Sequence, residues 1–237
     1  MRNLLLIFLC TLFSVPSLFA QEENDPFDYG VEYLFGVTTS TNSGLVSGVN
    51  FRYGAKINDN LLRTFGIEIA NVRHPQERKV RAFAYGGSLY EGKENYLISV
   101  RLLYGYDKIL FRKADRKGVQ INGVLVGGPS IGLVSPYYLR AENGDLVTYS
   151  EIRNGNQLPI SAANYFAGVN EMEAAIGANL RASLLFEFGT FKSSITGFEI
   201  GGMLEYYNKE IPLVPLGTRN YQFYPSLYLG LIFGTRK

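Results

Sequence analysis

The chain carries one cysteine, one histidine and no tryptophan. Cys10 lies in the amino-terminal apolar run, so once that run is removed no cysteine remains. Disulfides, thiol chemistry and thiolate metal sites are then excluded. Leu9 precedes it where a lipoprotein signal needs a small residue, which argues against lipidation. A lone histidine leaves too few ligands for a transition-metal site, and no cofactor is implied. Excess charge is scarce as well: 23 Lys and Arg against 21 Asp and Glu give a net +2, no electrostatic footprint for nucleic acid. Beyond the first residues no stretch reaches the roughly 18 uninterrupted apolar residues of a membrane-spanning helix.

What is present begins with Met1-Arg2-Asn3, the apolar run Leu4 to Phe13 and the small-residue exit Ser17-Leu18-Phe19-Ala20 before Gln21. This reads as a signal peptide over residues 1–20, cleaved on export. The rest, 21–237, is expected to form one domain. Hydrophobic residues make up 46% yet almost never run together, and Gly (26), Tyr (17) and Phe (16) are abundant. That is a profile of alternation.

Val49, Phe51, Tyr53, Ala55 and Ile57 interleave with Gly48, Asn50, Arg52, Gly54 and Lys56. Between Ala174 and Phe188 the apolar residues Ile176, Leu180, Leu184 and Phe186 share one face, with Asn179, Arg181, Ser183 and Glu187 on the other. Period two predicts strands with one greasy and one polar face. Six further segments follow the rule, at about 29–40, 61–72, 96–107, 119–134, 194–207 and 221–234, which makes eight strands. Residues 78–85 could add a strand or extend a loop, so ten strands are the alternative. A secreted β-sandwich would alternate too, but with less regular sharing of aromatic and aliphatic residues on one face. Gly127-Gly128-Pro129 predicts a bulge or kink in the fifth strand, since proline removes a ladder hydrogen bond.

The connections sort by parity. Those at 58–60, 108–118 and 189–193 are short or moderate; those at 73–95 and 135–172 are long, although the first, Thr41-Asn42-Ser43, is short. Glu142-Asn143-Gly144-Asp145 is a hairpin signal, so the fifth and sixth strands could continue as a ribbon beyond the barrel. The last strand alternates Leu227, Leu229, Leu231 and Phe233 with Tyr228, Gly230 and Ile232, and stops four residues from the end. Over its mature length the chain resembles the small outer-membrane barrels of the OmpA and OmpX type. The resemblance implies an all-β fold: an eight-stranded antiparallel up-and-down transmembrane barrel in the outer membrane of a Gram-negative bacterium, both termini periplasmic. It also implies recognition of the last strand by the outer-membrane assembly machinery. The resemblance is architectural and brings no catalytic motif. With nothing after Lys237, no peptidoglycan-binding domain is expected.

An eight-stranded lumen is only wide enough to be filled by side chains. The polar face carries Glu32, Arg52, Lys56, Glu68, Arg101, Arg181, Glu187, Glu199 and Glu205, and buried charges must pair. Neighbouring strands predict Arg52 with Glu68, Glu68 with Arg101, and Arg181 with Glu199. Such a network would stiffen a plug, or gate a narrow solute path.

Enzymatic motifs fail. Gly127-Gly128-Pro129-Ser130-Ile131-Gly132 lacks the Lys and Ser/Thr of a phosphate loop, having Leu133-Val134 instead. His74 sits at the expected outer rim, where some small barrels hydrolyse or acylate lipid A, but a nucleophile would have to come from Ser88 or Ser150. Arg73, Arg78, Lys79 and Arg81 cluster in the second outer loop, where lipopolysaccharide phosphates would meet them. Residues 108–117 mix basic side chains with an Ile-Leu-Phe triplet, suited to anionic headgroups or a periplasmic partner. Tyr137, Tyr138, Tyr149 and Tyr165 with Arg140 and Arg153 suit protein contact. The expectation is a non-enzymatic barrel with a structural, adhesive or accessory-subunit role; a lipid A-modifying enzyme using His74 and a narrow, porin-like channel are the alternatives.

Overall fold

Alternation becomes geometry because a strand turns successive side chains to opposite faces. The computed structural model describes residues 29–81, 87–112, 118–154, 159–188, 193–215 and 219–237. Its strands are β1 (Val31–Ser40), β2 (Gly48–Asn58), β3 (Leu61–Val72), β4 (Arg78–Arg81), β5 (Ser88–Glu91), β6 (Asn95–Phe111), β7 (Gln120–Pro136), β8 (Leu139–Ala141), β9 (Leu146–Val147), β10 (Pro159–Ala162), β11 (Glu173–Phe188), β12 (Ser194–Ile211) and β13 (Tyr221–Arg236). Among the described residues one short α-helix, α1, spans Tyr149–Asn154. Eight strands close into an antiparallel barrel in the order β1, β2, β3, β6, β7, β11, β12, β13, with β13 returning to β1. The seam is sealed at its end by the backbone N–H groups of Gly30 and Val31, both donating to the Lys237 carbonyl at 2.9 Å.

The eight predicted segments match the eight barrel strands. Of the segment that could add a strand or extend a loop, residues 78–81 do the latter: they form β4, which pairs with β5 as a two-stranded hairpin outside the ring. The segment's Ala82 and Phe83 fall outside the described residues, as do the signal peptide and residues 113–117. The turn at 142–145 does form a hairpin, with Gly144 at φ +90°. It joins β8 to β9 in a separate sheet of order β10, β8, β9 rather than prolonging β7 and β11 as a ribbon. Short connections (β2 to β3, β6 to β7, β11 to β12) therefore share one end of the barrel with the carboxy terminus, and these extra elements crown the other.

Pro129 produces no bulge. β11 pairs across it without a register shift, Ala178 opposite Pro129 and Asn179 opposite Gly128. On the β6 side the ladder runs Arg101 with Ser130 and Tyr104 with Gly127, keeping register across a two-residue interruption. Proline cannot donate there, and the Asn179 side chain takes over: its Nδ2 lies 3.2 Å from the Leu102 carbonyl, 3.0 Å from that of Gly128 and 3.0 Å from Ser130 Oγ. A side-chain amide thus stands in for the missing backbone donor without a bulge.

The two faces are cleanly separated. Phe35, Val49, Phe65, Ile67, Leu102, Leu125, Ile176, Leu180, Ile200 and Leu229 stand exposed on the outside, an apolar belt around the wall. Inside, β11 passes from Glu187 through Leu185 to Arg181 and on to Ala175. Leu185 belongs to a buried cluster with Leu34, Leu103, Val124, Val126, Ile195 and Ile232. Ala175 belongs to another with Val72, Leu97, Val134, Tyr207, Ile211, Leu213 and Tyr224. The charges lie between and beneath these apolar layers.

Candidate functional site

Two places concentrate polar chemistry: the lumen and the crown of loops. In the lumen Glu68, on β3, accepts from Arg101 Nη1 at 3.0 Å and from Arg181 Nη2, while Arg101 also grips Glu205 through Nε at 3.0 Å and Nη2 at 2.7 Å. Arg52 reaches Glu199 at 2.5 Å, and Ser183 and Tyr228 donate to the other oxygen of Glu199 at 2.6 and 2.5 Å. The Glu68–Arg101 pair links adjacent strands as expected. The other two expected pairs exchange partners: Arg52 meets Glu199 and Arg181 meets Glu68. The reason is the width of the barrel. Register puts Arg52 opposite Gly66 and Arg181 opposite Met203, off the level of the acids expected for them, whereas a guanidinium on a long stem crosses so narrow a lumen directly.

At the short-turn end Arg236 closes the floor. Its Nη2 lies 2.5 Å from Glu187 Oε2, its Nε 3.4 Å from Glu32 Oε2, and its guanidinium stacks over the Tyr29 ring at 4.7 Å. Sequence reasoning missed it, treating the last four residues as an overrun past Phe233. The available signal was two inward acids, Glu32 and Glu187, without a cation at their depth. Lys56, also expected inward, instead sits at the rim and pairs with Asp59 at 3.1 Å.

At the crown His74 is 3% exposed and fully engaged in loop structure. Its Nδ1 accepts from the Gln76 amide at 3.2 Å, its Nε2 faces the Arg219 carbonyl at 3.1 Å, its backbone amide donates to Glu77 at 3.0 Å, and its ring stacks on Tyr221. Glu77 in turn holds Lys93 Nζ at 2.7 Å, both side chains 1% exposed. Lys93 lies over the rings of Tyr96 at 4.6 Å, Tyr90 at 5.6 Å and Tyr137 at 6.0 Å. Burial holds its ammonium below the usual lysine value, with Glu77 opposing the shift. A buried polar spine, from the Arg219 carbonyl through His74, Glu77 and Lys93 to the tyrosines, therefore ties three connections at the crown together. Lys93 was not singled out from sequence, because an isolated Gly-Lys-Glu reads as solvated loop.

Other candidates divide. Arg73 packs over Tyr90 at 5.1 Å, while Arg78, Lys79 and Arg81 are exposed on β4. Tyr137, expected at a contact surface, is buried in the crown's own core with Leu89 and Leu139, and its hydroxyl accepts from the Tyr90 amide at 2.9 Å. Tyr149 packs against that core, Tyr165 packs on Tyr96 at 4.3 Å, and Tyr138 donates to Glu171 at 3.0 Å. Arg140 is exposed. Ser150 pairs with Thr148 at 3.2 Å, and Ser88 lies on β5 opposite Arg81. Of the 108–117 segment, Ile109 is buried, Leu110 and Phe111 are exposed, and Arg112 Nε binds Asn60 at 3.1 Å. Among the described residues no group of His, Cys, Asp and Glu could hold a metal ion, and no helix is long and apolar enough to cross a membrane.

The neutral tautomer of His74 is written into its partners: Nδ1 accepts, so Nε2–H donates to Arg219. Burial lowers its pKa below the ordinary 6.5. An opened crown therefore takes up a proton more readily than the closed one, and the stability that His74 contributes is complete above about pH 6.5 and declines as pH falls below it. Protection factors, which correct for the intrinsic slowing of amide exchange at lower pH, are expected to fall at the amides of 74, 76, 77 and 219–221 between pH 7.5 and pH 5.5, and the difference to vanish in His74→Gln. Equal protection at both pH values in the unmodified chain would remove this reading.

No protein-family model and no curated protein sequence matches the chain. Among solved structures it is similar to Neisserial surface protein A, with 11% identity and a TM-score of 0.39 over 87% of this chain and 96% of that one. It is also similar to Ail, the attachment invasion locus protein of Yersinia pestis, in complex with the heparin analogue sucrose octasulfate (12%, 0.36, 87% and 96%). The N-terminal β-barrel domain of Pseudomonas aeruginosa OprF follows (11%, 0.33, 86% and 96%). At such scores the fold rests on this chain's own closed strand order.

Proposed function

We propose that this protein is a non-enzymatic outer-membrane β-barrel that acts through its crown as a structural, adhesive or accessory subunit. The apolar belt of a closed barrel favours lipid outside, and the leader at 1–20 favours export. On this reading both termini are periplasmic and β13 engages the assembly machinery during insertion. The observation that carries the functional half is a contrast: the lumen is packed with charges, most of them paired, whereas the crown has a hydrophobic core of its own, built from Leu89, Tyr137 and Leu139. A loop that merely joined two strands would not need one. Exposed Arg78, Lys79 and Arg81 on the β4–β5 hairpin suit lipopolysaccharide phosphates, and an outer-membrane protein partner would meet the same face. The engaged nitrogens of His74 weigh against a lipid A-modifying enzyme, and the filled lumen weighs against a channel.

The test compares the intact chain with one whose residues 137–172 are replaced by a two-residue Asn-Gly turn, each extracted in mild detergent through a tag. Both are expected to show the heat-dependent gel shift of a folded barrel. Only the intact chain is expected to bring down a stoichiometric protein or to attach cells to a host surface. If both variants behave alike in both assays, the crown is not the recognition surface.

A further inference from the structure

The outward face of the barrel is apolar or small at nearly every strand position, and it carries two cations near the short-turn end. Arg63 on β3 and Lys108 on β6 are both exposed there. The register sets Arg63 opposite Tyr106 and Lys108 opposite Leu61, so the two cations are diagonal neighbours, about 7 Å apart in such a ladder. Neither makes an ion pair or hydrogen bond among the described residues. Among the described residues the two acids nearby in sequence are turned elsewhere: Asp59 is paired with Lys56 at 3.1 Å, and Asp107 is buried in the lumen, 1% exposed. Toward the middle of the wall the cations are followed by Phe65 and Tyr104, whose rings pack at 5.0 Å, and then by exposed Ile67 and Leu102.

We infer that Arg63 and Lys108 bind the phosphate of an anionic phospholipid in the leaflet at the short-turn end, with its chains lying along Phe65, Ile67 and Leu102. The inference rests on the membrane-spanning reading proposed above. Two adjacent cations, unpaired among the described residues and above an apolar strip, match a lipid phosphate with its chains below it. A soluble anion would gain nothing from that strip. Aromatic rings at the boundary are where the interface between chains and headgroups places them.

The test reconstitutes the chain in nanodiscs of zwitterionic lipid containing a small fraction of phosphatidylglycerol, then counts lipids retained by native mass spectrometry. Each basic side chain at an anionic surface gives about a fivefold gain in binding, so Arg63→Gln with Lys108→Gln is expected to lower retention on the order of twentyfold. Arg63→Lys is expected to keep most of it. Lys209→Gln, at the opposite end and already paired with Glu173 at 3.1 Å, is expected to leave it unchanged. Equal retention in the first double variant overturns the site, and so does full displacement by millimolar inorganic phosphate, which would mark a simple anion patch. Failure of the unmodified chain to insert into nanodiscs overturns the membrane reading itself, a result distinguishable from the other two.

Discussion

Glu68→Ala is expected to destabilise the barrel by about 3–5 kcal/mol, the usual consequence of leaving a buried charge without its partner. Most of that cost falls on Arg181. Arg101 keeps two bonds to Glu205, at 3.0 and 2.7 Å. Arg181 keeps the Tyr228 ring at 4.4 Å and the sulfur of Met203 at 3.8 Å, neither of which neutralises it, and its Nε and Nη1 already lack partners. Thr38, whose hydroxyl donates to Glu68 Oε1 at 3.3 Å, loses an acceptor as well. Adding Arg181→Met to Glu68→Ala removes the stranded charge and restores apolar volume, so the double variant is expected to recover much of the loss. Adding Arg101→Met instead is expected to recover none, because it orphans Glu205. Urea unfolding in detergent, followed by the gel shift of the folded barrel, reads all four proteins on one scale. A Glu68→Ala barrel within about 1 kcal/mol of the parent would show that water reaches Arg181 and that the lumen is less closed than its packing indicates.

How much of this was legible depended on whether a rule is local. Strand period is local, so Ala174 to Phe188 announces its two faces without any knowledge of neighbours, and the same holds around the ring. Pairing along a sheet is nearly local, and Glu68–Arg101 was readable from their similar depth on consecutive barrel strands. Pairing across a lumen is not. Arg52 and Glu199 are 147 residues apart in sequence, and only the closed circumference makes them neighbours. Pro129 was misread for a related reason: its missing donor is visible in sequence, but Asn179, which replaces it, stands on another strand. The crown was the least legible part, since its core mixes Tyr137 with residues of β5 and β8 and its spine joins His74 to a carbonyl 145 residues away. Tyrosines there looked like a surface for partners because nothing in their own neighbourhood said what would cover them.

Gly105→Ala is expected to have the other large effect, through one added methyl. A Cβ at Gly105 would stand 2.1 Å from the Leu125 carbonyl oxygen and 2.8 Å from Val126 Cα. These are backbone atoms of the neighbouring strand, so no rotamer relieves the overlap and β6 and β7 must separate or β7 must shift. The origin of the crowding is curvature: closing eight strands bends the sheet sharply, and glycines on the inner face are where it bends. Overpacking of this kind typically costs about 1–3 kcal/mol, and a rigid backbone partner places this case at or above the upper end. Gly202 is the matched control, a barrel-strand glycine whose added Cβ would approach only Leu227 Cδ2, at 3.9 Å. Gly202→Ala is expected to be neutral or to stabilise by up to about 1 kcal/mol, because alanine loses less backbone freedom on folding. Refolding yield and urea midpoints of the two variants decide the matter. Equal behaviour would mean that β6 and β7 have slack at this point and that the inner glycines are permitted rather than required.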